Sequence, residues 1–192
     1  VFTISSSDRA IPLAATLTAN YGIYGTAFEM MEHLAVKPGS EEYLDSEKYQ
    51  LRYRGFQELD GPNSLRDFIA LVNRIRKRNP ALQSDWSLRF HEVDNEQIIC
   101  YSKTTDQHAN TVLVVVNLDP NYTQAGWTGL DLAALGVDPN QPFQVHDLLT
   151  GAHYIWNGPR NYVELNPHRM PAHVFRISSN LQTEHDFDTF SG

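Results

Sequence analysis

The densest group of side chains able to do chemistry is the stretch PGSEEYLDSEKYQ, which carries Glu41, Glu42, Asp45 and Glu47 within seven residues. Glycoside chemistry uses two carboxylates that flank the scissile bond, one as acid and one as nucleophile or base. Adjacent acids on a polar loop also keep that loop solvated, and the sequence gives no sign of an apolar pocket beside Glu41 and Glu42 that would raise a carboxyl pKa. Lys48 and Tyr49 follow directly. An ammonium beside a flat aromatic ring can hold sugar hydroxyls and a sugar face, and the same pair can equally be a solvated lysine and a half-buried tyrosine.

Other candidates are weaker. The eight histidines include His91, His146, His153, His168 and His173. None shows the i, i+4 helical pairing or the Cys/His spacing of a zinc site, so no metal is expected. No G-x-S-x-G elbow is present for a serine nucleophile. Cys100 is the single cysteine and lies in the strand-like run QIICYSK, which excludes a disulfide framework and suggests a small buried hydrophobe. Trp127, Trp156 and Tyr162 are candidate sugar platforms, with core or turn packing as the competing role for each.

The formal charge of -8 argues against a nucleic-acid partner. The only basic run, Arg74, Arg76, Lys77 and Arg78, ends a predicted helix, where cations suit the carbonyl end of the dipole. No apolar run approaches the ~18–20 residues that cross a bilayer, and no signal-peptide pattern opens the chain. These features suggest a cytoplasmic protein without a membrane partner. The first residue is Val1 rather than Met, so an excised or processed piece is expected.

The elements that must position these groups fall into two regimes. Residues 9–19 read as a helix with Asp8 at its N-cap, YGIYG as a short buried strand, and AFEMMEHLAV as a brief helix. Residues 37–62 have no clean period and read as a long irregular loop, functional or disordered. Residues 64–78 carry Leu65, Phe68, Ile69, Val72 and Ile75 on one face of a helix, capped by Ser64 with Asp67 and ended by Pro80. From Trp86 the pattern changes to seven short strands at 88–93, 97–103, 111–118, 143–149, 153–156, 161–166 and 172–177. TVLVVVNL is apolar throughout and reads as a central strand covered on both faces. Seven such strands with Gly, Asn and Pro turns predict an antiparallel sandwich.

The series LAATL, YGIYG, PGSEEYLDSEKYQ, LVNRIRKRNPALQ, LRFHEVDNEQIICYSK, TVLVVVNLDP, FQVHDLLTG and NYVELNP closely resembles the C-terminal part of bacterial maltose-1-phosphate maltosyltransferases, α-amylase-clan enzymes. The resemblance runs from about Leu13 to Ile177. It implies a mixed α and β fold, the last βα unit of a (β/α)8 barrel followed by an all-β sandwich. Residues 1–85 would end the barrel, 86–178 would form the sandwich, and 179–192 a loose tail. YGIYG would be the eighth barrel strand and Ser64–Arg78 the eighth helix, with the loop from Glu29 to Pro62 over the barrel mouth. The family's matching Lys-Tyr pair contacts the maltosyl unit, which assigns substrate binding to Lys48 and Tyr49.

The implied parent is a homodimeric, retaining transferase that moves maltosyl from α-maltose 1-phosphate to an α-1,4-glucan, with no metal or organic cofactor. Its three catalytic carboxylates lie on earlier barrel strands, further upstream than the twelve residues that precede LAATL here. VFTISSSDR does not match the family, and Asp8 has the wrong neighbours to substitute. The chain by itself is therefore expected to be inactive. A non-catalytic glycan-binding or interaction module is the rival reading.

Overall fold

The computed structural model describes residues 10–23, 25–32, 34–44 and 64–179. Among the described residues three α-helices come first: α1 (Ala10–Leu17), α2 (Gly25–Glu29) and α3 (Arg66–Arg78). A 3-10 turn at Pro80–Gln83 leads into eight strands. These are β1 (Arg89–Val93), β2 (Ile98–Thr104), β3 (Thr111–Asn117), β4 (Gln124–Gly129), β5 (Phe143–Asp147), β6 (His153–Trp156), β7 (Tyr162–Leu165) and β8 (Ala172–Ser178). They form one hydrogen-bonded series in the order β6-β5-β8-β3-β2-β1-β4-β7. Every pairing is antiparallel.

All seven residues of β3 are buried, as the apolar run TVLVVVN demands. Alternation divides them between two cores. Leu113 and Val115 face the same core as Cys100, Phe175 and Ile177, while Val112, Val114 and Val116 join Tyr101 and Val174 on the opposite face. The first core also receives Phe143, Val145 and Trp156 from one end of the series and Val163 and Leu165 from the other. The sheet is therefore curled, a half-barrel rather than the expected pair of stacked sheets. The β1–β4 junction, two residue pairs long, is where the series turns. Leu130, Leu132, Leu135 and Val137, from the segment after β4, plug the interior.

The eighth strand, β4, has no counterpart in the sequence reading. QAGWTG contains two glycines and no apolar alternation, so its signal is absent from periodicity. Gly126 is nevertheless demanded by packing. A Cβ there would stand 2.9 Å from Val93 Cγ1 and 3.0 Å from Asp94 Oδ1 in the β1–β2 turn.

The helices cover the second core. Ile75 of α3 and Ala81 and Leu82 of the 3-10 turn meet Tyr101, Val112 and Val114. Leu65, Phe68, Ile69 and Val72 pack instead on Ile11 and Ala15 of α1, so that stripe finds its partner in the first helix rather than in the sheet. Ser64 Oγ accepts the Arg66 N–H at 3.2 Å, but Leu65 occupies the N-cap position. Arg76 was expected to complement its own helix end. Its guanidinium reaches across to the C-terminal carbonyls of α1 instead, donating to Ala15, to Thr18 at 3.1 Å and to Ala19 at 2.5 Å.

One expected element does not form. Tyr21, Gly22 and Ile23 of the supposed barrel strand are neither paired nor fully buried, and α2 begins at Gly25. A strand is held by hydrogen bonds to neighbouring strands, and among the described residues no strand pairs with this segment. The expected last βα unit of a barrel is thus not shown among the described residues. Asp8 lies outside the described residues, as do 180–192 of the C-terminal tail. Among the described residues no helix is long and apolar enough to cross a membrane.

Two outcomes follow from this packing. Gly126→Ala should lower unfolding free energy by about 1–3 kcal/mol, the usual cost of overpacking, as read from urea melts. Cys100 is 1% exposed and burial pushes its thiol up to about 12. Iodoacetamide at neutral pH should leave it unmodified in the native chain and alkylate it in urea.

Candidate functional site

The approach to the predicted substrate loop is described and its tip is not. Residues 34–44 form a small hairpin closed by an antiparallel bridge between Ala35 and Tyr43. Val36 N–H donates to Glu42 O at 2.8 Å and Leu44 N–H to Leu34 O at 2.7 Å. Gly39 turns the hairpin at a φ of 78°, a conformation that favours glycine. Glu41 and Glu42 are exposed near this turn. Lys48 and Tyr49 lie outside the described residues.

The hairpin's surface is unusual. Leu34 is 65% exposed and Leu44 53%, with Val36 and Tyr43 also open. Four large apolar side chains on one short hairpin make a patch that ordinarily meets another surface.

The sequence motifs within the described residues turn out to be structural. In VHDLLTG, Asp147 is fully buried and accepts from the Thr150 hydroxyl at 2.7 Å, His173 Nδ1 at 3.0 Å and Leu149 N–H at 3.2 Å. Gly151, at a φ of 79°, completes the turn into β6. In VNLDP, the buried Asn117 amide donates to the carbonyls of Tyr122 and Leu165, both at 3.0 Å. Asp119 then accepts the Asn121 N–H at 2.8 Å and the Tyr122 N–H at 3.1 Å, shaping the crossover into β4. In the helix-ending NPAL, Asn79 holds Ile75 O at 2.8 Å and accepts from Asn110 Nδ2 at 3.0 Å. That pair ties the end of α3 to the β2–β3 loop.

His173 is bound to Asp147, and His91 is held between two elements. His91 Nδ1 accepts the Asp131 N–H at 3.2 Å, which places the ring proton on Nε2, 2.8 Å from Ser102 Oγ. Burial lowers its pKa, with Asp131 opposing and Arg89 adding to the shift. Among the described residues no group of three or more His, Cys, Asp or Glu side chains is placed to hold a metal.

Of the three aromatic candidates, Trp156 is a core residue. It is 9% exposed, edge-on to Phe143 at 6.2 Å and to Phe175 at 5.2 Å. Its place at the inward-facing end of β6 removes it as a sugar platform. Trp127 and Tyr162 are 47% and 51% exposed and sit opposite each other on β4 and β7, ring centroids 5.6 Å apart.

Residues 90–177 match the family model described as GLGE, C-terminal. The chain is 52% identical over 164 residues to an alpha-1,4-glucan:maltose-1-phosphate maltosyltransferase of Corynebacterium glutamicum, covering 85% of this chain and 24% of that protein. It is 47% identical over 172 residues to the protein of the same name in Chlorobaculum tepidum, covering 86% and 25%. The chain is a relative of the C-terminal part of these maltosyltransferases. It spans about a quarter of their length. Among solved structures, a noncanonic maltogenic alpha-amylase, AmyB from Thermotoga neapolitana, superposes with a TM-score of 0.60 at 14% identity, covering 89% of this chain and 36% of that one. An alpha-amylase from Geobacillus thermoleovorans gives 0.55 at 16% identity, covering 93% and 37%. These likenesses show the fold.

Asp147 supplies a test of the structural role of its motif. Burial alone would raise its carboxyl, but bonds from His173, Thr150 and Leu149 outweigh it and hold it below its ordinary 3.8. A folded pKa below the unfolded one contributes stability above about pH 4, lost as pH falls through the folded value. Asp147→Asn should therefore cost about 1.5–3 kcal/mol at pH 7 and make stability fall less steeply below pH 4, measured by urea melts across pH.

Proposed function

We propose that this chain is the C-terminal part of a retaining glycosyltransferase. The parent moves maltosyl from α-maltose 1-phosphate to the non-reducing end of an α-1,4-glucan. The carrying observation is the 52% identity across 85% of the chain to a protein named for that activity. The apolar hairpin at 34–44 supports it, because a loop that lies on a larger body would present such a surface. In this reading α3 is the eighth helix of a (β/α)8 barrel, the segment at Tyr21–Ile23 becomes its eighth strand when neighbouring strands flank it, and the curled β domain buttresses the barrel. The parent is a cytoplasmic homodimer that needs no cofactor and engages neither nucleic acid nor membrane.

Catalysis in the parent requires a carboxylate nucleophile and a proton donor, and both belong to earlier barrel strands. The chain alone should release no phosphate from maltose 1-phosphate above the blank. Release that disappears in Glu41→Ala or Glu42→Ala would place the chemistry in this chain. In the full-length parent, Lys48 donates a charge-assisted hydrogen bond to the donor sugar, a contact of ~1.5–3 kcal/mol. Lys48→Ala should lower kcat/KM for maltose 1-phosphate about ten- to a hundred-fold with an unchanged melting temperature. Tyr49→Phe and Tyr49→Ala separate the hydroxyl from the ring. Unchanged kinetics in both alanine variants would reduce the loop to a spacer.

The exposed Trp127–Tyr162 pair favours a second reading, a glycan-binding module, in which the two rings take the faces of adjacent glucose units. Calorimetry of the chain with maltoheptaose tests it: saturable heat lost in Trp127→Ala supports a module, and no heat removes it.

A further inference from the structure

On the helix-bearing face of the sheet, at its β5–β6–β8 end, a half-open cavity of ≈ 380 Å³ is lined by His108, Gln144, His146, His153, Arg176 and Ser178, among others. Strand register builds it. His146 stands opposite His153 on β6 and opposite Arg176 on β8, so the three share one cross-strand row. The two imidazoles stack at 4.1 Å and 10°. His108 enters from the β2–β3 turn, held at a φ of 55° and pressed against Gly136, where any Cβ would collide with its ring.

We propose that this cavity is a binding site for a phosphate group, as the free ion or as a sugar phosphate monoester.

The charge pattern carries the inference. The chain bears a formal charge of -8, yet among the described residues no Asp or Glu lines this cavity. What lines it is a guanidinium, three imidazoles, a carboxamide and hydroxyls, all able to donate. Gln144 Nε2 lies 3.3 Å from His153 Nδ1, and as a donor there it places that ring's proton on Nε2. His108 Nδ1 is engaged by Thr104 Oγ1 at 3.2 Å. Arginine and histidine together match a tetrahedral oxyanion, the guanidinium through two parallel N–H donors and each imidazole through one. A cation would meet Arg176 at once, and no metal-ligating group forms among the described residues. The volume falls in the range of small-molecule pockets and admits a sugar ring beside the phosphate. His146 is held below its ordinary pKa by burial first, then by His153 and Arg176, with Asp147 opposing. A bound anion would offset each of those three causes. The inference stands on this geometry and is independent of the transferase reading.

The test is titration of inorganic phosphate into the 192-residue chain, followed by NMR of the histidine rings and the arginine side chains. Saturable shifts of His108, His146, His153 and Arg176 are expected, with His168 unmoved. Arg176→Gln should weaken the apparent Kd about tenfold or more, since a charge-assisted pair exceeds the 1.4 kcal/mol of one decade. His153→Ala, on an exposed edge strand, should weaken it in the same direction and guards against a folding defect at β8. Glucose 1-phosphate binding more tightly than the free ion would assign the site to a monoester, and equal binding to phosphate itself. Shifts that never saturate, that sodium chloride reproduces at equal ionic strength, or that survive in both variants would overturn the proposal.

Discussion

The structure depends on one strand that has water on neither side. β3 buries all seven residues, so its two faces each require a complete apolar cover. The sheet supplies one cover by curling until its far ends, β6 and β7, reach the same core. It cannot supply the other, because a sheet curls only one way. That second face is closed by α3, α1 and the turn at Pro80–Gln83. Helices and sheet are therefore parts of one packing solution.

Buried polar groups set the connections. Asp147, Asn117 and the Asn79–Asn110 pair each satisfy backbone groups where the chain leaves a regular element. Lys103 follows the same logic on the helix side. Its side chain is fully buried and its ammonium meets Asp85 at 2.7 Å just past the 3-10 turn. A buried charge without a partner is costly, which pins the segment before β1 against the sheet. The motifs that the resemblance rests on thus record scaffold geometry where the structure describes them.

Much of the architecture was legible from residue pattern. Seven strands fall close to their expected places, and TVLVVVNL is central because an unbroken apolar run can only be buried on both faces. β4 was invisible, since Gly126 answers to a neighbouring turn and not to periodicity. YGIYG misled for the opposite reason: its local preference is strand-like, and the partners that would pair it are not among the described residues. For Lys48 and Tyr49 local chemistry left two roles open and the resemblance alone chose substrate binding, a role that lies outside the described residues. Trp156 and Trp127 look alike in sequence and end on opposite sides of the sheet surface.

The sequence by itself determined the strand-rich composition, the amphipathic helix 66–78 and the kinship with the maltosyltransferases, because each is written in local order. Only tertiary structure decided that the sheet curls, that Arg76 caps another helix, and that His108, His146, His153 and Arg176 face one cavity. Apart from the hairpin pair His146 and His153, those residues are separated by more than twenty positions in the chain. Arg176 joins the histidine pair through the β5–β8 register and His108 through the β2–β3 turn, and neither approach is encoded in a stretch of local sequence.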